Sequence, residues 1–175
     1  MIVRFLNVNT ATREQLSLWE SWLTEEKRQR IDRLPPQKRK LSLCGDALAR
    51  DMLGEALHLA PQDVAIAESE SGKPQTAGAF FSISHSGEVV GCAVSDREVG
   101  LDMEWIRPVP ARLGRALDGA WQTEEEFWQL WTRREAALKC RGGTWREWRR
   151  EETEKFTFTH PTAPDGYVAS VCEKV

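Results

Sequence analysis

Six consecutive residues, Val99-Gly100-Leu101-Asp102-Met103-Glu104, alternate between apolar side chains and small or acidic ones. A β-strand sorts that period-two pattern onto opposite faces, with Val99, Leu101 and Met103 on one and Asp102 and Glu104 on the other. The chain must therefore bury one face of this strand and surround the other with groups that tolerate two carboxylates. Same-face residues lie roughly 6.6 Å apart along a strand. Both acids can then reach one hard divalent cation such as Mg2+, which takes oxygen ligands and leaves positions for water or phosphate. A solvated strand face is the simpler alternative for such a segment alone.

The segment that follows has a clear helix start. Thr123 and Glu126 form a T-x-x-E capping box ahead of Phe127, Leu130 and Trp131. Glu135 and Lys139 are four apart and share a helix face. As a surface ion pair they would contribute a few tenths of a kcal/mol, about 0.2–0.5, to the helix and nothing else.

Upstream, Met1 to Val8 reads as a strand, and Thr12 with Gln15 as the cap of a helix running to about Leu34, ended by Pro35-Pro36. A second helix is expected from about Gln37 to Leu59, with Leu41, Cys44, Leu48, Met52 and Ala56 on one stripe. Val64 to Ala67 reads as a short strand. Phe80 to Ser84, Val89 to Val94 and Val99 to Glu104 read as a meander with turns at residues 85–88 and 95–97. Arg107-Pro108-Val109-Pro110 marks a break. Beyond it come two helical segments between about Ala111 and Lys139, a turn at Gly142-Gly143, and strands near residues 155–159 and 167–173.

Charge and composition exclude several classes. A hydrophobic content of 41% with 29% charged residues describes a soluble globular protein, and a net charge of -3 gives no field favouring nucleic acid or membrane. The start lacks a signal-like apolar core and no run approaches a membrane span, so a cytoplasmic monomer is expected. The mixed basic and aromatic run from Arg141 to Arg150 reads as a surface segment, because nearby glutamates neutralise it. Cys44, Cys92 and Cys172 read as small buried hydrophobes, and Cys140 as a partly exposed thiol.

Four segments in fixed order carry a stronger signal: Gly72-Lys73-Pro74, Phe81-Ser82-Ile83-Ser84-His85-Ser86, Val99 to Glu104, and Trp131 to Lys139. Together they resemble the Sfp-type 4'-phosphopantetheinyl transferases, whose motifs read G-K-P, F-N-x-S-H-S, G-x-D-x-E and W-[ST]-x-K-E-[AS]-x-x-K. The resemblance covers roughly residues 38 to 142. It implies an α+β fold of two similar halves around a pseudo-twofold, with the site in the cleft between them. The proline-rich break then suggests an N-terminal half over 1–106 and a C-terminal half over 107–175.

The same resemblance implies the activity. A serine of an apo acyl or peptidyl carrier protein attacks the β-phosphorus of coenzyme A, taking its 4'-phosphopantetheine arm and releasing adenosine 3',5'-bisphosphate. Asp102, Glu104 and Glu135 match the family's ligands for Mg2+, with Mn2+ as a substitute. Glu135, or a water on the metal, would take the serine proton, and Lys139 would reach a phosphate oxygen. Ser84 and His85 match a pair at the nucleotide phosphate, Lys73 and Pro74 border the adenine, and Arg50 holds the 3'-phosphate. Arg134 departs from the motif's lysine, and the stretch from Glu104 to Trp131 is short for the family. Within that stretch Arg112, Leu113, Arg115, Ala116 and Leu117 could form a ridge for a carrier, unless Leu113 and Leu117 pack inward. A non-catalytic relative that binds carrier or nucleotide, or a metal-dependent nucleotide phosphohydrolase, are the competing readings.

Overall fold

Local signals set most of the elements. In the computed structural model, which describes residues 1–69, 72–114, 117, 121–142 and 156–175, the first strand is β1 (Ile2–Asn7). Thr12 and Gln15 form a reciprocal capping box at the start of α1 (Arg13–Ser21). The single long helix expected to about Leu34 is instead two. Thr24 leaves helical geometry and accepts a bond from Lys27 N, starting α2 (Glu25–Asp32) afresh. Pro36 opens α3 (Pro36–Leu57), which ends at His58 in the left-handed region, with φ of 56°.

The segment at Val64 does not form the expected strand. Residues Pro61–Asp63 make a 3-10 turn, and a two-residue ladder joins β2 (Ala67–Glu68) to β3 (Pro74–Gln75). Then follow β4 (Phe80–Ser86), β5 (Val89–Ser95) and β6 (Val99–Trp105). α4 (Ala111–Gly114) and α5 (Glu124–Arg141) lead to β7 (Phe156–Thr159) and β8 (Tyr167–Lys174). Residues 143–155 lie outside the described residues, and with them most of the basic and aromatic run.

The three strands expected as a meander divide between two sheets. β4 pairs with β5 and β5 with β1, giving the order β1-β5-β4. β6 turns away and pairs with β8, giving β6-β8-β7. Both sheets thus repeat one connectivity: strand, long helix, then a hairpin whose second strand lies in the middle. β6 precedes the proline-rich break, so the second sheet begins upstream of residue 107.

Side-chain alternation stacks these layers. Phe81, Cys92 and Val94 pack against Ala49, Met52 and Leu53 of α3. The opposite face carries Val89 and Ala93, which meet Val99, Leu101, Met103, Ala169 and Val171 of the second sheet. The outer face of that sheet meets α5 through Cys172, Ala136, Ala137 and Cys140. The order is helix, sheet, sheet, helix. The carboxylates of β6 therefore face α5 and not the intersheet core.

Gly100 sets how close α5 comes. It shares the face of Asp102 and Glu104, and a Cβ there would stand 2.0 Å from Ala136 O and 2.4 Å from Cys140 N. Helix backbone rests directly on strand backbone at this point. Gly100→Ala should destabilise the fold by at least the about 1–3 kcal/mol usual for overpacking, because backbone atoms cannot rotate away. A shift of the urea midpoint with unchanged slope measures it; an unshifted midpoint would contradict this contact.

Candidate functional site

β6 is an edge strand on the side away from β8, and β4 runs alongside that edge. Its serine side chains, Ser84 and Ser86, take the place of a backbone partner. Met103 N donates to Ser84 Oγ at 3.2 Å and Trp105 N to Ser86 Oγ at 3.0 Å. Each hydroxyl passes its own proton to the neighbouring carboxylate: Ser84 Oγ donates to Asp102 Oδ1 at 2.9 Å and Ser86 Oγ to Glu104 Oε2 at 2.6 Å. A hydroxyl carries one donor and two acceptor sites, so it suits both tasks.

Lys139, brought in by α5, completes the first cluster. Its Nζ donates to Asp102 Oδ1 at 2.7 Å and to Ser84 Oγ at 3.0 Å. Asp102 is buried, and its Oδ2 has no hydrogen-bond partner. Burial raises its pKa above the usual carboxylate range, while Lys139 and Ser84 pull it back down. A buried carboxylate oxygen without a donor is costly, and a divalent cation would satisfy it. Glu104 is part-buried and accepts Arg107 at 2.8 Å as well as Ser86.

Glu135 lies half-buried on α5, four residues before Lys139. Among the described residues no three His, Cys, Asp or Glu side chains converge as a group that could hold a metal. The structure therefore brings together Asp102, Ser84 and Lys139, with Glu104 two residues along the same strand face.

Ser84 and His85 are neighbours on β4, and their side chains project to opposite faces. Ser84 faces β6, whereas His85 stands on the α3 side, across from Val90. His85 is exposed; partial desolvation lowers its pKa, the Lys139 ammonium lowers it further, and Glu104 and Asp102 oppose them, so the ring lies within range of the site's charges.

Lys73 reaches across the molecule, its Nζ donating to Val99 O at 3.2 Å and Cys140 O at 3.4 Å. Burial lowers its pKa. With Pro74, Gln75, Phe80 and Glu98 it lines a cavity of about 270 Å³.

Arg50 is buried. Its Nε donates to Asp46 at 2.7 Å and its NH1 to Val64 O at 2.7 Å. It borders a second cavity, of about 350 Å³, into which Lys27 and Arg30 also open. No motif marks either of those two in the sequence; both sit on α2, whose separate start depends on the cap at Thr24.

One expectation changes, and one open alternative is decided. Cys140 is buried, its thiol donating to Glu98 O at 3.2 Å, so it is not a partly exposed group. Cys44 and Cys92 are buried as expected, and burial pushes their thiols up to about 11 and about 12. Leu113 and Leu117 pack inward against the cluster of Phe127, Trp128 and Val168, so they form no exposed ridge. Arg115 and Ala116 lie outside the described residues.

A family described as "4'-phosphopantetheinyl transferase, N-terminal" matches residues 9–97. The chain belongs to the 4'-phosphopantetheinyl transferase family. The transferase Sfp of Bacillus subtilis (strain 168) is 28% identical over 147 residues, covering 75% of this chain and 65% of Sfp. AcpT of Escherichia coli (strain K12) is 36% identical over 130 residues, covering 63% and 67%. AcpT of Salmonella typhimurium (strain LT2) is 38% identical over 112 residues, covering 54% and 57%. The chain thus spans between about half and two thirds of the length of these curated relatives. No helix among the described residues is long and apolar enough to cross a membrane.

The Lys139–Asp102 contact yields a double-mutant test. Lys139→Met leaves Asp102 buried without its cation and should lower stability by about 1–3 kcal/mol, less than a fully enclosed pair would because Lys139 is partly exposed. Adding Asp102→Asn should recover part of that loss. Urea unfolding in chelator measures both; a double variant no more stable than Lys139→Met would show that the pair is not coupled.

Proposed function

We propose that the protein transfers the 4'-phosphopantetheine arm of coenzyme A to a serine of an apo acyl or peptidyl carrier protein, with Mg2+ or Mn2+ at β6. The observation that carries this reading is the Asp102–Ser84–Lys139 cluster, with a buried carboxylate oxygen left unpartnered, at the family's motif positions. Asp102 and Glu104, with Glu135 as a third ligand, would hold the cation. When bound it supplies Lewis-acid stabilisation of the pyrophosphate.

The remaining chemistry belongs to the chain. Phosphoryl transfer rests on positioning and on neutralising charge where it develops. The serine oxygen forms a bond to the β-phosphorus of coenzyme A as the bond to the adenosine 3',5'-bisphosphate oxygen breaks. Glu135 takes the serine proton, and Lys139, already aimed along the β6 face, steadies a phosphate oxygen. The cavity of Arg50, Lys27 and Arg30 would take the 3'-phosphate, which must compete there with Asp46 and Glu68 for those cations, and that of Lys73 and Pro74 suits the adenine.

The repeated connectivity supports a pseudo-twofold arrangement with the site in the cleft between the halves; because β6 opens the second sheet, the seam falls between β5 and β6, ahead of the proline-rich break expected to divide 1–106 from 107–175. A cytoplasmic monomer without nucleic-acid or membrane partners fits the near-neutral charge.

Incubation with Mg2+, coenzyme A and several apo carrier proteins should add one phosphopantetheine group to a carrier, read by intact-protein mass spectrometry. Asp102→Ala, Glu104→Ala and Glu135→Ala should each cut that transfer by orders of magnitude without unfolding the chain. Near-normal turnover at low Mg2+ in any one removes that residue from the ligand set.

Nucleotide binding gives a separate test. Dephospho-coenzyme A should bind more weakly than coenzyme A, and Lys27→Ala should shrink the difference. Arg50→Ala should instead destabilise the fold, since it removes the nearer cation of buried Asp46 and leaves only Lys27 at 3.6 Å. Calorimetric titration and thermal melts read the two effects; equal affinity for both nucleotides would place the 3'-phosphate elsewhere.

A further inference from the structure

The two carboxylates of β6 are held by one repeated arrangement. Asp102 Oδ1 accepts a serine hydroxyl of β4 and a side-chain cation, Lys139. Two residues on, Glu104 Oε2 accepts the next outward serine of β4 and another side-chain cation, Arg107. Arg107 therefore stands to Glu104 as Lys139 stands to Asp102, although no motif includes it.

Arg107 is braced more firmly than a surface arginine. Its NH1 also donates to Trp105 O at 2.8 Å. Its guanidinium lies 4.1 Å from the centre of the Trp128 ring, and its own carbonyl accepts Trp128 Nε1 at 2.7 Å. Trp128 is fully buried on α5. Stacking on a buried ring and two bonds from one nitrogen fix the guanidinium in place.

The charge balance follows. Asp102 and Glu104 are countered one for one by Lys139 and Arg107, and Glu135, as the third ligand proposed above, would add one negative charge. Such a site attracts a bare divalent cation weakly, because two fixed positive charges repel it at close range. A pyrophosphate brings several negative charges of its own and reverses that balance.

We propose that Arg107 is a positioning residue for Glu104 and, with Lys139, a counter-charge that keeps the carboxylate pair from holding a divalent cation until an anionic pyrophosphate substrate arrives with it. This rests on the metal-dependent transferase reading above. Arg107 acts through Glu104 and through the charge of the site.

The test is Mn2+ binding to the whole chain, followed by electron paramagnetic resonance without any carrier protein, so that no turnover occurs. Coenzyme A should tighten Mn2+ binding about tenfold or more, after allowance for Mn2+ held by coenzyme A in solution. Arg107→Gln should bind Mn2+ about tenfold more tightly without coenzyme A, on the order of one screened charge at this range, and should gain less from coenzyme A. Arg107→Lys should stay near the native value. If Arg107→Gln melts early, Arg107→Met removes the same charge while keeping an apolar stem on Trp128.

The proposal is overturned if neutral variants bind Mn2+ no more tightly than the native chain, since Arg107 would then serve only to brace Trp128. It is also overturned if native affinity is the same with and without coenzyme A. Both of those outcomes leave the transferase reading standing. A native chain that binds no Mn2+ in either condition removes the metal site and this inference together.

Discussion

Two serine hydroxyls hold the unpaired edge of β6, and most of what is distinctive in the molecule follows from that substitution. A backbone partner on this edge would have satisfied Met103 N and Trp105 N but brought nothing to the carboxylates. Ser84 and Ser86 do both, because a hydroxyl can accept from an amide while donating to an acid. The two sheets are thereby joined through side chains at the place where two acids must be held. The same junction admits cations from two directions, Lys139 from α5 and Arg107 from the connection after β6.

Gly100 makes the Lys139 contact attainable. A residue with a Cβ would push α5 outward, and Lys139, one residue before Cys140, would move with it. The glycine belongs to the same short motif as the carboxylates, so strand, helix approach and charge placement are specified within five residues. Ala136 and Cys140 supply the small surface on the helix side.

Much of the site was legible in the sequence, for identifiable reasons. The period of two in β6 and the capping box at Thr123 are local signals, and the structure has both elements within a residue or two of expectation. The carboxylates and Lys139 were likewise legible as motif residues. What could not be read depends on tertiary choice. The alternation of β6 is equally compatible with pairing to β5 or to β8, and only the burial of Val99, Leu101 and Met103 between the sheets selects the second. The split of α1 from α2 turns on Thr24, one capping residue inside an otherwise helical stretch. The role of Arg107 is hidden in the sequence because its neighbours Pro108 and Pro110 mark a linker, and its partner Trp128 is remote along the chain. Ser84 and His85 adjoin in the motif, and the opposite faces that strand alternation gives their side chains do not show in the motif itself.

The middle position of β8 bears on the order in which the molecule can be built. Leu101 of β6 faces Val171 of β8, so the strand that carries the carboxylates gains its backbone partner only after a long excursion through α5 and β7. Closing so long a loop costs chain entropy before any ladder bond repays it, and contacts of this span slow folding. The first sheet has the same plan and bears the same cost, since β1 must wait for β5 across a stretch of chain at least as long. A chain caught before β8 docks would show β6 with one edge bare and the other held only by the hydroxyls of Ser84 and Ser86.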